Sequence, residues 1–316
     1  MNEFDKVQFW TIEKDYSGQR IDNYLISHLK GVPKSRIYRI IRKGEVRVNK
    51  GRVKAEYKLT HNDILRIPPI RVAEKEPAKD ISQFSQVKQI EASIVFESNQ
   101  FMVINKPSGI AVHGGSGISF GVIEAIRALR PKEKFLELVH RIDRDTSGCL
   151  LIAKRRTYLI HFQNQLRHRK MNKEYVALVN GHWPKATSRV DQALKKTERA
   201  SGERVVLVDT EGKASKTNFE IIKSFAQHTL VRAKPVTGRT HQIRVHAKYV
   251  GCPLLGDDKY SDTQADRVIL SQLKLKSFLL HAQKLRFTLP EDEQVMQIEA
   301  PLPAQFKRII KMLGNE

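Results

Sequence analysis

This chain is poor in acid, in cysteine and in long apolar runs, and each shortage removes a class of function. Aspartate and glutamate number 34 against 56 lysines and arginines, for a formal charge of +22 over 316 residues and a pI near 10.0. A field of that sign attracts polyanions, either nucleic acid or an anionic membrane. The membrane alternative needs an apolar span of about 18 residues or a lipid anchor, and the sequence contains neither. Met1-Asn2-Glu3-Phe4-Asp5 is acidic and lacks the apolar core of a signal peptide, so a cytoplasmic protein is expected. The two cysteines, Cys149 and Cys252, stand in apolar or turn surroundings and suit buried reduced thiols. No CxxC pair, HxxxH helix or acidic cluster is present, so no metal site is expected. A P-loop and a GxGxxG turn are also missing, which argues against ATP or a dinucleotide and leaves no cofactor.

The length is enough for two domains with substantial cores, and hydrophobic residues make up 40%. Near the N-terminus Ile21, Tyr24, Leu25, His28 and Leu29 recur at helical spacing, and Gly31-Val32-Pro33 breaks the pattern. Ser35 can cap a second helix with Ile37, Ile40 and Ile41 inward and Arg36, Arg39 and Lys43 on one exposed face. Gly44 ends it, Val46-Arg47-Val48 alternates like a strand, Asn49-Lys50-Gly51 is a turn, and Ile64–Ile67 is a further strand. From Lys34 to Lys58 there are ten basic residues and two acidic ones. A charge run is usually a solvated face, but arginines spaced along one side of a helix and hairpin can straddle phosphates. The pattern resembles the S4 RNA-binding domain, here residues 1–68 with its core at 18–68. Residues 69–90, charged and without apolar period, read as a linker. Residues 91–316 read as one α+β domain. Its expected strands are 94–96, 101–105, 149–153, 175–179, 204–208, 229–233 and 284–288, and its helices 119–129, 157–168, 240–250 and 303–313. Strands cluster rather than alternate with helices, so the sheet should be mixed and mostly antiparallel.

Three polar segments of this domain can carry chemistry. His140-Arg141-Ile142-Asp143-Arg144-Asp145-Thr146-Ser147-Gly148 sets a carboxylate between two arginines, followed by turn residues and by the apolar run Cys149–Ala153. Its bland reading is a surface ion-pair loop capped by Asp145 or Thr146. Asn172–Val179 places Tyr175 at the start of a strand, where a tyrosine is ordinarily core or surface. Pro235–His246 runs through the turn Thr237-Gly238 into a helix, with Arg239 near its start and His241 and Arg244 three apart on its surface.

Together these segments resemble the motifs of the RluA-type pseudouridine synthases. His140–Asp143 with Thr146-Ser147-Gly148 is similar to the catalytic loop of that family, Lys173-Glu174-Tyr175 to its tyrosine motif, and Gly238–His246 to its arginine motif. Asn105–Gly109, Leu254–Asp257 and Leu280-His281-Ala282 match in family order across about residues 91–300. Two departures, Ile142 for the usual Leu and Cys252 for a common His, touch no reacting group. The run Lys30–Lys50 resembles that of family members acting on 23S ribosomal RNA, although two subgroups carry an S4 domain.

The resemblance implies conversion of uridine to pseudouridine, an isomerisation that breaks N1–C1′ and rejoins the base through C5 with no redox change. The uridine must leave its stack. Asp143 is the implied catalytic carboxylate, acting as nucleophile at C1′ or base at C2′; the sequence leaves both routes open. Arg244 would pair with it and keep it charged and oriented. Tyr175 would stack on the flipped uracil and could help remove the C5 proton. Arg141 would fill the vacated stack, and His140 and Thr146 would hold the loop. Asp145 is a weaker rival to Asp143. Arg239, Arg36, Arg39, Lys43 and Arg47 are the other expected RNA contacts. Seven lysines or arginines and no acid between Lys154 and Lys173 suggest a second phosphate-contacting surface. The expected partner is 23S rRNA or a large-subunit assembly intermediate, met by a monomer, since no apolar seam suggests a dimer. A pure RNA-binding or assembly factor and an N-glycosidase releasing uracil are the competing functions.

Overall fold

The computed structural model describes residues 6–29, 31–70, 85–114, 120–199, 202–261, 268, 270–275, 277–291 and 294–314. The backbone separates into two compact units, residues 1–80 and 81–316.

In the first unit β1 (Gln8–Thr11), α1 (Ile21–His28), α2 (Lys34–Arg42), β2 (Arg47–Val48), β3 (Gly51–Arg52) and β4 (Ile64–Ile67) follow in order. The strands form an antiparallel sheet ordered β1-β4-β2-β3. Ile37, Ile40 and Ile41 of α2 sit one helical turn apart and are buried with Ile21, Leu25, Leu65 and Ile67. That burial turns Arg39, Arg42 and Lys43 outward, with Arg36 half-buried. The helix starts one residue before the expected cap: Pro33 takes the N-cap position and Ser35 lies inside. The tight hairpin puts Asn49 and Lys50 in the left-handed region, at φ 50° and 69°. Strand β1, which pairs with β4, was not evident from its sequence pattern.

The second unit contains α3 (Ser85–Glu91), β5 (Ile94–Glu97), β6 (Phe101–Lys106), α4 (Val122–Leu129), β7 (Glu137–Leu138), β8 (Ser147–Ala153), α5 (Arg156–Arg167), β9 (Asn172–Asn180), β10 (Arg189–Asp191), β11 (Leu194–Glu198), β12 (Arg204–Val208), β13 (Lys216–Ser224), β14 (His228–Pro235), α6 (Gln242–Tyr249), β15 (Leu280–Thr288), β16 (Val295–Glu299) and α7 (Ala304–Leu313). Its main sheet runs β10-β13-β14-β9-β15-β8-β6-β5, with β7 beside β8 and β16 beside β15. Among the described residues β8–β15 is its one parallel pairing. Strand β8 is buried at every position, which is why its sequence is apolar without alternation. Helices α3 and α4 pack near β6 and β8 around Ile104, Ile126 and Ile152. Helix α5 drives Tyr158 and Phe162 against Phe101 and Phe287.

The expected linker is trimmed at both ends. Ile70 is buried in the first core, and Ser85–Glu91 forms α3 with Val87 and Ile90 buried; residues 71–84 lie outside the described residues. Residue 119, the expected start of α4, also lies outside them. Strands β10, β11, β13 and β16 went unanticipated because each buries a single apolar side chain, Val190, Leu194, Phe219 and Ile298 respectively. In β11, for example, only Leu194 is buried. No described helix is long and apolar enough to cross a membrane.

Candidate active site

The loop between β7 and β8 is held from two sides. At the end of β6 the fully buried Lys106 donates from Nζ to the carbonyls of Arg144 at 2.7 Å and of Pro107 and Ile110 at 2.8 Å. Burial pulls this ammonium down to about 7, against the charges of Asp145 and Asp143. Its three N–H groups nonetheless each meet a carbonyl, the arrangement of a charged lysine used as a loop anchor. Ser108 Oγ donates to the Asp145 carbonyl at 2.7 Å. On the strand side Gly148 has φ +107°, and a Cβ there would stand 2.3 Å from the Ala282 carbonyl oxygen. Strand β15 therefore passes directly against the loop, and only glycine fits. Beside it His281 donates from Nε2 to the Ala300 carbonyl at 3.0 Å and accepts at Nδ1 from Ser147 Oγ at 2.8 Å. The Asn105–Gly109 and Leu280–Ala282 matches are thus the two supports of one loop.

His140 accepts the Leu151 amide at Nε2, 3.2 Å away, and burial pushes its pKa down to about 3, so it is a neutral acceptor. Thr146 is buried, and its amide closes a turn on the Asp143 carbonyl at 3.2 Å. Asp145 leaves the centre: its carboxylate pairs with Arg144 at 3.0 Å and does not line the cavity.

Asp143, by contrast, lies on the wall of a small cavity of about 140 Å³, with Arg141, Thr146, Lys173, Tyr175, His241 and Arg244 among its neighbours. Arg244 Nη1 stands 3.5 Å from Asp143 Oδ2. Its remaining edge forms a fork on Asp257, Nε to Oδ2 and Nη2 to Oδ1, both at 2.7 Å. Both partners are almost wholly inaccessible, and the guanidinium is sandwiched 4.3 Å from the Phe278 ring and 4.9 Å from that of Tyr260. Burial disfavours its charge, but Asp257 and Asp143 outweigh that and raise its pKa. Arg244 is consequently a fixed positive charge under Asp143, too enclosed to touch a phosphate.

Tyr175 of β9 is buried on the cavity wall. Burial first, and the Asp143 charge second, hold its phenol well above the ordinary range. It stays protonated at neutral pH and offers a ring face rather than a phenolate base. Beside it Lys173 is lowered by burial, and no described residue accepts a hydrogen bond from its ammonium. Its Nζ lies close to Gly238, 3.6 Å from where a Cβ on that residue would stand.

The cavity opens beside a cleft of about 500 Å³ whose lining includes His140, Arg141, Arg167, Arg169, Lys173 and Arg239 and no acidic side chain. Arg141 and Arg239 are exposed and border both spaces; Arg239 Nε donates to the Ala214 carbonyl at 3.3 Å. The expected surface at 154–173 is narrower than its composition. Lys154 is buried and bound to Glu97 at 3.0 Å and Glu133 at 2.9 Å, so it faces no ligand. Arg36, Arg39, Lys43 and Arg47 belong to the first unit.

Sequence reasoning quoted Lys106, His241, Asp257 and His281 inside motifs without assigning them roles, and it passed over Tyr260 and Phe278 altogether. Tyr260 stands between Lys259 and Ser261, and Phe278 heads the apolar pair Leu279-Leu280; neither setting carries a signal of the cation that the ring covers. Among the described residues no group of three potential ligands could hold a metal ion.

Residues 100–249 match the family model described as RNA pseudouridylate synthase, and residues 19–65 match the S4 domain. The ribosomal large subunit pseudouridine synthase C of Pasteurella multocida is 55% identical over 98% of this chain and 95% of its own length. The Escherichia coli protein of the same name is 52% identical over 99% of this chain and 98% of its length. Among solved structures, human RNA pseudouridylate synthase domain containing 4 is 26% identical and superposes with a TM-score of 0.59, covering 72% of this chain and 95% of that one.

Proposed function

Because this chain belongs to the RNA pseudouridylate synthase family, we propose that it isomerises specific uridines of 23S ribosomal RNA, with Asp143 as the catalytic carboxylate acting on a base turned out of its stack. That it is an RNA pseudouridine synthase follows from its relatives. The substrate is supported by their names, which specify the ribosomal large subunit. The observation that supports the assignment of Asp143 is the line Asp143–Arg244–Asp257, at 3.5 Å and 2.7 Å, beside the ring of Tyr175.

In this reading the uracil enters the cavity and lies against Tyr175, while Arg141 occupies the gap left in the RNA stack. Asp143 meets the ribose, either bonding to C1′ or taking the C2′ proton, and the N1–C1′ bond breaks. The uracil carries away the bonding pair, turns, and forms a new bond from C5 to C1′. The carboxylate is released or returns its proton. The C5 hydrogen leaves as a proton and N1 gains one, so atoms and electrons balance without a co-reactant. Arg244 keeps a positive charge opposite Asp143 throughout. Flanking phosphates run through the basic cleft past Arg167, Arg169, Lys173 and Arg239, and the first unit holds structured RNA on Arg36, Arg39, Lys43 and Arg47. The enzyme works in the cytoplasm, on free rRNA or an assembly intermediate.

The test maps pseudouridines in 23S rRNA from cells lacking the gene, then from the same cells supplied with wild-type protein or Asp143→Asn. Defined sites should vanish, return with the wild type, and stay absent with the variant, which should still fold and bind RNA. Sites restored by Asp143→Asn would refute the role of this carboxylate. An unchanged map would refute the substrate, and free uracil among the products would mark a glycosidase instead.

A further inference from the structure

The residue immediately before α6, His241, carries three features that the reading above does not use. Its backbone is left-handed, φ 52° and ψ 19°, a conformation that histidine adopts more readily than most side chains but that still needs support from its surroundings. The imidazole is half-buried edge-on to the Tyr260 ring, with Nδ1 2.6 Å from Tyr260 Oη. On its other side Nε2 stands 3.8 Å from Asp143 Oδ2.

These contacts determine where the ring hydrogen lies. Tyr260 is 2% exposed, and burial pushes its phenol up to about 12, so it is a neutral hydroxyl with one hydrogen. Its oxygen already accepts the Val206 amide at 3.0 Å. The hydroxyl hydrogen then goes to the remaining neighbour, His241 Nδ1. Burial keeps the imidazole neutral, against the pull of the Asp143 charge. A neutral ring that accepts at Nδ1 carries its hydrogen on Nε2, the atom facing the carboxylate. The chain of donors is therefore Val206 N–H to Tyr260 O–H to His241, and His241 N–H toward Asp143.

Arg244 and His241 approach the same carboxylate oxygen, Oδ2. Among the described residues no donor stands on Oδ1. We propose that His241 is a second positioning residue for Asp143: with Arg244 it claims Oδ2, in a tautomer set by Tyr260, and so presents Oδ1 to the ribose. This inference rests on Asp143 being the catalytic carboxylate. The 3.8 Å separation shortens to a hydrogen bond when the base enters, as catalytic contacts in free enzymes commonly do.

The test measures kcat and KM by release of tritium from C5-labelled uridine in 23S rRNA isolated from cells lacking the gene, using full-length His241→Leu, His241→Gln, Tyr260→Phe and Asp143→Asn. His241→Leu should lower kcat 10- to 100-fold with KM changed less than threefold. His241→Gln, whose amide N–H reaches the place of Nε2, should recover most of that loss. Tyr260→Phe keeps the ring over Arg244 and removes only the hydroxyl, and should lower kcat with little effect on KM; it carries the test if His241→Leu does not fold. Wild-type kcat in both His241→Leu and Tyr260→Phe would overturn the proposal, as would a glutamine variant no better than leucine, or a loss confined to KM. An active Asp143→Asn would instead overturn the reading beneath it.

Discussion

Replacing Arg244 separates stability from catalysis. Arg244→Met removes the cation while leaving the Asp257 carboxylate, whose side chain is fully inaccessible, without its fork of two 2.7 Å bonds. Stranding one member of a buried pair costs about 3–5 kcal/mol. For a unit of this size each kcal/mol moves Tm by about 2–4 °C, so Tm should fall by about 6–20 °C. Arg244→Met with Asp257→Leu removes both charges and fills the slot between Phe278 and Tyr260 with apolar atoms, which suits methionine against aromatic faces. Most of the lost stability should return. Activity should not. Both variants leave Asp143 without its nearest positive charge, and loss of such a group lowers kcat by about 100- to 1000-fold. RNA affinity should hold in both, because Arg244 is 4% exposed and cannot be a phosphate contact. Thermal melts, filter binding and tritium release read the three quantities separately. A double variant that is both stable and active would refute the role of Arg244, and a single variant as stable as the parent would refute the buried ion pair.

Gly148→Ala should destabilise the protein by about 3 kcal/mol or more, combining a Cβ placed against the Ala282 carbonyl with a left-handed alanine; an unchanged denaturant midpoint would contradict the close strand approach. Acid should weaken the fold through His140. The unfolded chain protonates this residue below about pH 6.5 and the folded one only near pH 3, so stability falls as pH drops through that window, by about 2 kcal/mol between pH 7 and 5. His140→Gln, which keeps an acceptor for Leu151, should flatten that part of the profile; an identical acid slope in the variant would remove His140 as its source. Neutralising the exposed Arg39, Lys43 and Arg47 together should shallow the salt dependence of RNA binding by a slope of about 2–3, and an unaltered slope would show that this face meets no phosphate.

Much of this molecule is readable before folding. Ile37, Ile40 and Ile41 at one-turn spacing determine which side of α2 is core, and hence that Arg39 and Lys43 face water. The unbroken apolar run after Gly148 marks a strand covered on both faces. The order of the polar segments identifies the family and singles out Asp143 over its neighbour Asp145, because motif and turn residues are local properties of the chain. What the chain cannot state is distance. Asp143, Tyr175 and Arg244 are far apart in sequence, and only β8, β9 and α6 packed on one sheet gather them around a single cavity. Burial is likewise tertiary. It makes Lys106 a loop anchor, takes Lys154 out of the basic surface, and turns Arg244 from a surface charge into an enclosed one. The nine-residue loop from His140 to Gly148 shows the division within itself. Its sequence supplies the carboxylate and the turn, while Lys106, Ser108, His281 and Ala282, all distant along the chain, decide where that carboxylate stands.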